Sequence, residues 1–157
     1  MTFSIAGAAV SLLVLAPNLL LLVARPVDGI RTRDAGLVAT ILERAGQVGC
    51  LVLPFLVGAP GSWSWWLVPV VIAVGAYLGL WGRYLRDRRF ATLYRPLGPL
   101  PVPMAVFPIL AFLSAAGWLA SWWVGLAALV LAAGHLPNSW ATWRALRSEA
   151  SSGPAVG

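Results

Sequence analysis

Apolar residues gather into five runs, at residues 3–24, 36–58, 63–81, 102–119 and 122–143, separated by short polar or arginine-bearing stretches. At about 1.5 Å of rise per residue, helices of this length cross, or nearly cross, a ~30 Å hydrocarbon layer. The pattern predicts an all-α membrane protein: a bundle of five transmembrane helices forming one domain over residues 1–149. The small, polar stretch at 150–157 is expected to be a disordered tail.

The connections set the topology. Residues 25–35 carry Arg25, Asp28, Arg31, Arg33 and Asp34, and residues 82–101 carry Arg83, Arg86, Asp87, Arg88, Arg89 and Arg95. Arg144 and Arg147 follow the last run, whereas the turns at 59–62 and 120–121 and the N-terminal flank have no arginine. By the positive-inside rule, this alternation puts the N-terminus outside and the C-terminus in the cytoplasm. Arg86, Arg88 and Arg89 read as topology signals and lipid-headgroup contacts, with binding of an anionic group left open. Leu85, Phe90, Leu93, Tyr94 and Leu97 approximate one helical face, which predicts that part of the 82–101 connection lies on the membrane surface. Trp63, Trp65, Trp66, Trp118, Trp122 and Trp123 form an expected outer aromatic belt. Trp81, Trp140, Trp143, Tyr84 and Tyr94 form an inner one.

Composition agrees with this reading. The chain is 60% hydrophobic and 10% charged, against about 25% charged for soluble domains. The net charge of +6 comes from eleven arginines and no lysine, and the arginines sit in short loops. That placement argues for topology and against nucleic acid as a partner. With one cysteine (Cys50) and one histidine (His135), no intramolecular disulfide or ordinary Cys/His metal site can be built from one chain, so no metal or cofactor is expected. Met1 to Ser4 lack the positive charge of a signal-peptide n-region, so the first run is read as an uncleaved span of a bacterial multi-pass cell-membrane protein. The expected partners are the bilayer and a lipophilic small molecule, with homo-oligomerisation open.

Polar residues inside the runs are the candidate chemistry. Asn18, Glu43, Tyr77, His135 and Asn138 all fall about 9–14 Å from the expected cytoplasmic ends of their spans. Thr40, Glu43, Gln47, Cys50 and Pro54 follow spacings of three and four, which is one helix face. Ionisable groups avoid lipid, so this face should point into the bundle, with Arg44 snorkelling beside it. Ala45, Gly46 and Gly49 permit close helix approach. Each run carries a proline: Pro17, Pro54, Pro69, Pro108 and Pro137. Kinks at prolines open space between helices.

Glu43 and His135 are therefore the candidate catalytic pair, and Asn18, Gln47, Tyr77 and Asn138 the candidate substrate-binding residues. No glycine-rich phosphate loop, serine elbow, paired intramembrane carboxylates or Asp-rich metal motif is present. A protonated Glu43 in a dry, aromatic-lined pocket could donate to an alkene or epoxide, with His135 as base or orienting group. This predicts proton-initiated cyclisation or isomerisation of an isoprenoid-like substrate. In general shape the chain is similar to small membrane-bound terpene cyclases of bacteria. Its five spans and many tryptophans also resemble the tryptophan-rich sensory (translocator) proteins, which implies a hydrophobic-ligand-binding protein. Its loop after the first span differs from theirs, being arginine-rich without tryptophan. A third reading is an accessory subunit of a membrane complex. Glu43-Arg44-x-Gly46-Gln47, Pro101-Val102-Pro103-Met104-Ala105 with Pro108, and Gly134-His135-x-Pro137-x-Ser139 resemble a family of small bacterial multi-pass membrane proteins.

Overall fold

The computed structural model describes residues 3–57 and 64–151. The expected turn at 59–62, Trp63 and the tail beyond residue 151 lie outside the described residues. The elements are α1 (Ile5–Leu15), a 3-10 turn (Ala16–Leu19), α2 (Leu20–Val23), α3 (Leu37–Leu56), α4 (Leu67–Asp87), α5 (Phe90–Leu93), α6 (Pro103–Trp118) and α7 (Trp122–Ser151). Among the described residues, four helical stretches are long and apolar enough to cross a membrane: Ile5–Val23, Leu37–Leu56, Leu67–Asp87 and Trp122–Ser151. The sixteen-residue α6 is shorter. Its Ala111, Phe112 and Ala115 are completely buried, so neighbouring helices rather than solvent or lipid surround much of it.

Two glycines let α3 and α7 pack closely. A Cβ on Gly46 would fall on the backbone of Leu131, and one on Gly134 would fall on the backbone of Glu43. Each helix thus offers a bare patch where the other carries backbone, which is how small residues permit close approach in membranes. The contact puts residues 43 and 135 side by side.

The helix of the first run is interrupted at Pro17. Proline cannot donate to the helix ladder and its ring crowds the preceding turn, and here the chain tightens into the 3-10 turn before resuming as α2. The two halves then bind different neighbours. The N-terminal half follows α3: Ser4 N–H donates to Phe55 O at 2.9 Å, Ser11 Oγ donates to Cys50 O at 3.0 Å, and Gly7 lies against the Pro54 carbonyl. The C-terminal half is tied to α4 by two side-chain hydrogen bonds: Tyr77 Oη donates to Asn18 Oδ1 at 3.1 Å, and Tyr84 Oη donates to Ala24 O. One strand of chain tied to α3 before Pro17 and to α4 after it leaves a wedge between α2 and α3.

The 82–101 connection differs from expectation. α4 continues through Arg83 and Arg86 to Asp87, and Arg88 ends it in the left-handed conformation at φ 51°. Phe90 and Leu93 of α5 are buried in the bundle core instead of lying on the membrane surface. Hydrogen bonds hold the segment in. Asp28 Oδ1 accepts from Phe90 N–H at 2.7 Å, Val27 N–H donates to Arg88 O at 2.9 Å, and Arg83 donates to the carbonyls of Thr92 and Arg95 at 3.1 and 2.9 Å. Arg88 donates to Arg25 O at 3.1 Å. At the other end of the chain, α7 runs on past residue 143 through Arg144 and Arg147 to Ser151.

The aromatic belts are only partly as expected. Trp65, Trp66, Trp122 and Trp123 are exposed on the bundle surface. Trp140 and Trp143 carry Arg144 and Arg147 over their rings. Trp81 and Tyr84, expected at the inner interface, are instead buried core residues. Val70, Ala73, Val74, Tyr77, Trp81 and Tyr84 form one buried stripe of α4, spaced by three, one and four residues in the manner of a helix face. The stripe packs against the bundle instead of facing headgroups.

Candidate functional site

Glu43 is the hub of the site. Its Oε1 lies 2.6 Å from His135 Nδ1, and its Oε2 accepts from Asn138 Nδ2 at 2.5 Å. Gln47 Nε2, one turn along α3, donates to Oε1 at 3.4 Å, and Arg44 donates to Gln47 Oε1 at 3.4 Å. A carboxylate has about four acceptor sites, and three nitrogen groups are directed at this one. His135 is thus the partner of Glu43 across the α3–α7 contact.

The network continues into the 25–35 loop. Asn138 Oδ1 accepts from Ala35 N–H at 2.7 Å, so both functional ends of this amide have protein partners. One turn further along α7, the Thr142 hydroxyl accepts from Arg33 N–H and donates to Arg33 O, each at 2.9 Å. Asn138 and Thr142 thus lash the loop onto α7 just beyond the Glu43–His135 pair.

The wedge between α2 and α3 is a cavity of about 530 Å³, lined among others by His135, Tyr77, Asn18, Gln47, Arg44 and Trp81. Pockets that take small molecules are usually 300–1,000 Å³ and mostly apolar, with a few placed polar groups. Val14, Leu21, Leu51, Leu93, Phe112 and Leu131 supply the apolar wall. Val48, 62% exposed, and Leu51, 40% exposed, line the cavity and also face outward from α3, so its mouth opens on the apolar flank of the bundle.

The candidates therefore divide. Asn18, Gln47, Tyr77 and His135 come together on the cavity wall, whereas Glu43 and Asn138 are not among its lining residues and stand behind His135. With Nδ1 held by Glu43, Nε2 is the ring nitrogen without a partner among the described residues. Which nitrogen carries the proton follows from that bond: a carboxylate at Nδ1 favours the Nδ1–H tautomer and leaves a basic Nε2.

Sequence reading missed Trp81 and Tyr94 as cavity residues by assigning them to a headgroup belt. The four-residue spacing of Tyr77 and Trp81 was the available signal, because it puts them on one helix face. Trp81 is 3% exposed, and its Nε1 is buried with no hydrogen-bond partner. Burial raises the Tyr94 phenol above its ordinary range; the Thr142 hydroxyl opposes the shift and the charge of Glu43 adds to it. Among the described residues, no three of His, Cys, Asp and Glu come together as a metal-binding group.

No protein-family model, curated protein or solved structure matches the chain.

Proposed function

We propose that the protein is a membrane-embedded acid/base catalyst that isomerises a lipophilic substrate held in the wedge cavity, with His135 moving the proton. One observation carries this reading: the Glu43-bound imidazole lines an apolar cavity of ligand size. A carboxylate behind a histidine fixes the ring and stabilises the imidazolium that forms when Nε2 takes a proton. Glu43 is in this reading a positioning residue, and His135 is the catalytic one.

The arrangement favours isomerisation over proton-initiated cyclisation. Cyclisation needs a carboxylic acid in contact with an alkene or epoxide, and Glu43 stands behind the ring with three donors on it. Isomerisation needs one group that takes a proton and returns it elsewhere, which a cavity-facing imidazole can do. The same reading includes five spans in a bacterial cell membrane, N-terminus outside, with α6 as the fifth. At about 24 Å, α6 falls short of the hydrocarbon thickness, and its burial among other helices offsets that deficit.

Purification in mild detergent followed by mass spectrometry of the bound lipophile tests this reading. One lipophile should co-purify stoichiometrically, and its mass should rise by deuterium incorporation when the protein is incubated in D2O. A stoichiometric lipophile that never exchanges would make this a hydrophobic-ligand-binding protein, which the cavity supports equally. A co-purifying protein in place of any lipophile would make it an accessory subunit.

A further inference from the structure

A second cavity, of about 450 Å³, lies between residues 87–96 and the end of α7. Arg89 and Arg95 line it from the first side and Arg147 from the second, with Trp143, Leu146 and Pro96 supplying apolar wall. Two of these arginines are held in place. Arg83 donates to the carbonyls of Thr92 and Arg95 at 3.1 and 2.9 Å, which fixes the chain that carries Arg95. The Arg147 guanidinium rests 5.0 Å from the centre of the Trp143 ring. Asp87 is the one carboxylate in the lining, and both its oxygens are in use: Oδ1 accepts from Arg89 N–H at 3.2 Å, and Oδ2 accepts from Thr92 Oγ at 2.7 Å. Among the described residues, none of the three guanidinium groups is in a salt bridge. Three cations around one occupied carboxylate leave the cavity with an excess of positive charge, which an anion would neutralise.

The 25–35 loop ties this part of the chain together. Arg88 donates to Arg25 O at 3.1 Å, and Arg31 pairs with Glu149 at 3.1 Å. The loop, the segment after α4 and the end of α7 therefore share one end of the bundle, and every arginine but Arg44 belongs to it. In a bilayer such an end meets the headgroup layer. We propose that the cavity binds one lipid phosphate headgroup, its oxygens received by Arg89, Arg95 and Arg147 and its first carbons lying on Trp143, Leu146 and Pro96. The site is separate from the proton-transfer reading of the wedge and stands without it. A guanidinium is a planar fork of donors that matches the paired oxygens of a phosphate, and three of them suit a phosphate that carries two charges. The apolar wall favours a phosphate attached to a lipid over a free one, and basic pockets between membrane helices are a recurring form of headgroup site. Arg86 and Arg88, from the same arginine run, are not among the lining residues. The site is thus made by particular arginines and is narrower than the basic end as a whole.

Native mass spectrometry of the full chain in detergent tests the proposal, with phosphatidate and phosphatidylcholine of the same acyl chains as probes. One phosphatidate should bind per chain, at least about tenfold more tightly than phosphatidylcholine, and its affinity should fall as salt is raised. Arg95→Gln should weaken phosphatidate by about tenfold or more, the usual worth of a charge-assisted hydrogen bond. Arg86→Gln and Arg144→Gln remove the same charge from the same end of the bundle but not from the cavity. Each should change the affinity by less than about twofold, as expected for exposed charges at a distance. If Arg95→Gln loses its cooperative thermal unfolding, Arg147→Gln takes its place with the same expected loss. Equal weakening by the cavity and the control substitutions would reduce the effect to diffuse attraction and overturn the proposal. Equal affinity for the two lipids would overturn it as well. Glycerol 3-phosphate in large excess should leave the bound phosphatidate in place. Its displacement of the lipid would assign the site to a soluble phosphate and contradict the lipid headgroup.

Discussion

Gly134 lies directly against the backbone of Glu43, so the residue before His135 is the one that lets α7 touch α3 at the carboxylate. The 2.6 Å separation of Glu43 Oε1 and His135 Nδ1 depends on that contact. A side chain at 134 would have to push the helices apart, because its Cβ has backbone in the way rather than a flexible side chain. Gly134→Ala should therefore destabilise the bundle by about 1–3 kcal/mol, the usual range for overpacking. It should also lengthen the Glu43–His135 bond. Reversible unfolding in detergent measures the first effect, and the chemical shift of His135 Nδ1–H measures the second. An alanine variant as stable as the parent would show that the helix pair has slack.

The helix break at Pro17 is flanked by the cavity residues Leu15 and Asn18, and its part in opening the cavity can be tested apart from the chemistry. Pro17→Ala restores the N–H that a continuous helix needs. A straighter first span should follow α3 along its whole length and narrow the wedge. Lipophile binding should fall by about tenfold or more while thermal stability stays level or rises by about 0.5–1 kcal/mol. Unchanged binding would mean that the cavity is held open by the Asn18–Tyr77 and Tyr84–Ala24 ties alone.

Thr142 brackets the backbone of Arg33 with two hydrogen bonds, and Asn138 holds Ala35 beside it. Thr142→Val keeps the shape and removes both bonds to Arg33. The loss should be about 0.5–1.5 kcal/mol, the usual net worth of hydrogen bonds whose partners can return to water, because both bonds are only part-buried. Amide hydrogen exchange should rise locally over residues 31–36 and stay unchanged in α4. Faster exchange throughout the bundle would mean that this contact is part of the global fold instead of a local lashing.

The helical runs were legible in the sequence because lipid imposes a simple pattern on them, and the inward face of α3 was legible because Glu43 and Gln47 recur at helical spacing. That Asn18 and Tyr77 meet was not legible, since it depends on which neighbour the chain is tied to after the helix break at Pro17. The roles of Glu43 and Asn138 were also out of reach. Both were candidates by residue type, and only the packing of α3 on α7 puts them behind the imidazole. Trp81 was misjudged for a physical reason: a tryptophan near an arginine at a span end looks the same in sequence whether it meets headgroups or a cavity. The depth of α4 in the bundle decides between them. Likewise Phe90 and Leu93 had the spacing of a surface helix, and it is the Asp28 carboxylate, sixty-two residues away in sequence, that draws their segment inward.

The central claim is that the Glu43-held His135 moves a proton on a bound lipophile, and deuterium uptake by that lipophile in D2O measures it most directly. The parent protein should catalyse uptake at one site of the ligand. His135→Ala should abolish it while the ligand stays bound, and Glu43→Gln should slow it by about 10²–10⁴-fold, as expected when acid/base catalysis is lost. Equal uptake in the parent protein and in His135→Ala, with the ligand bound in both, would contradict the claim.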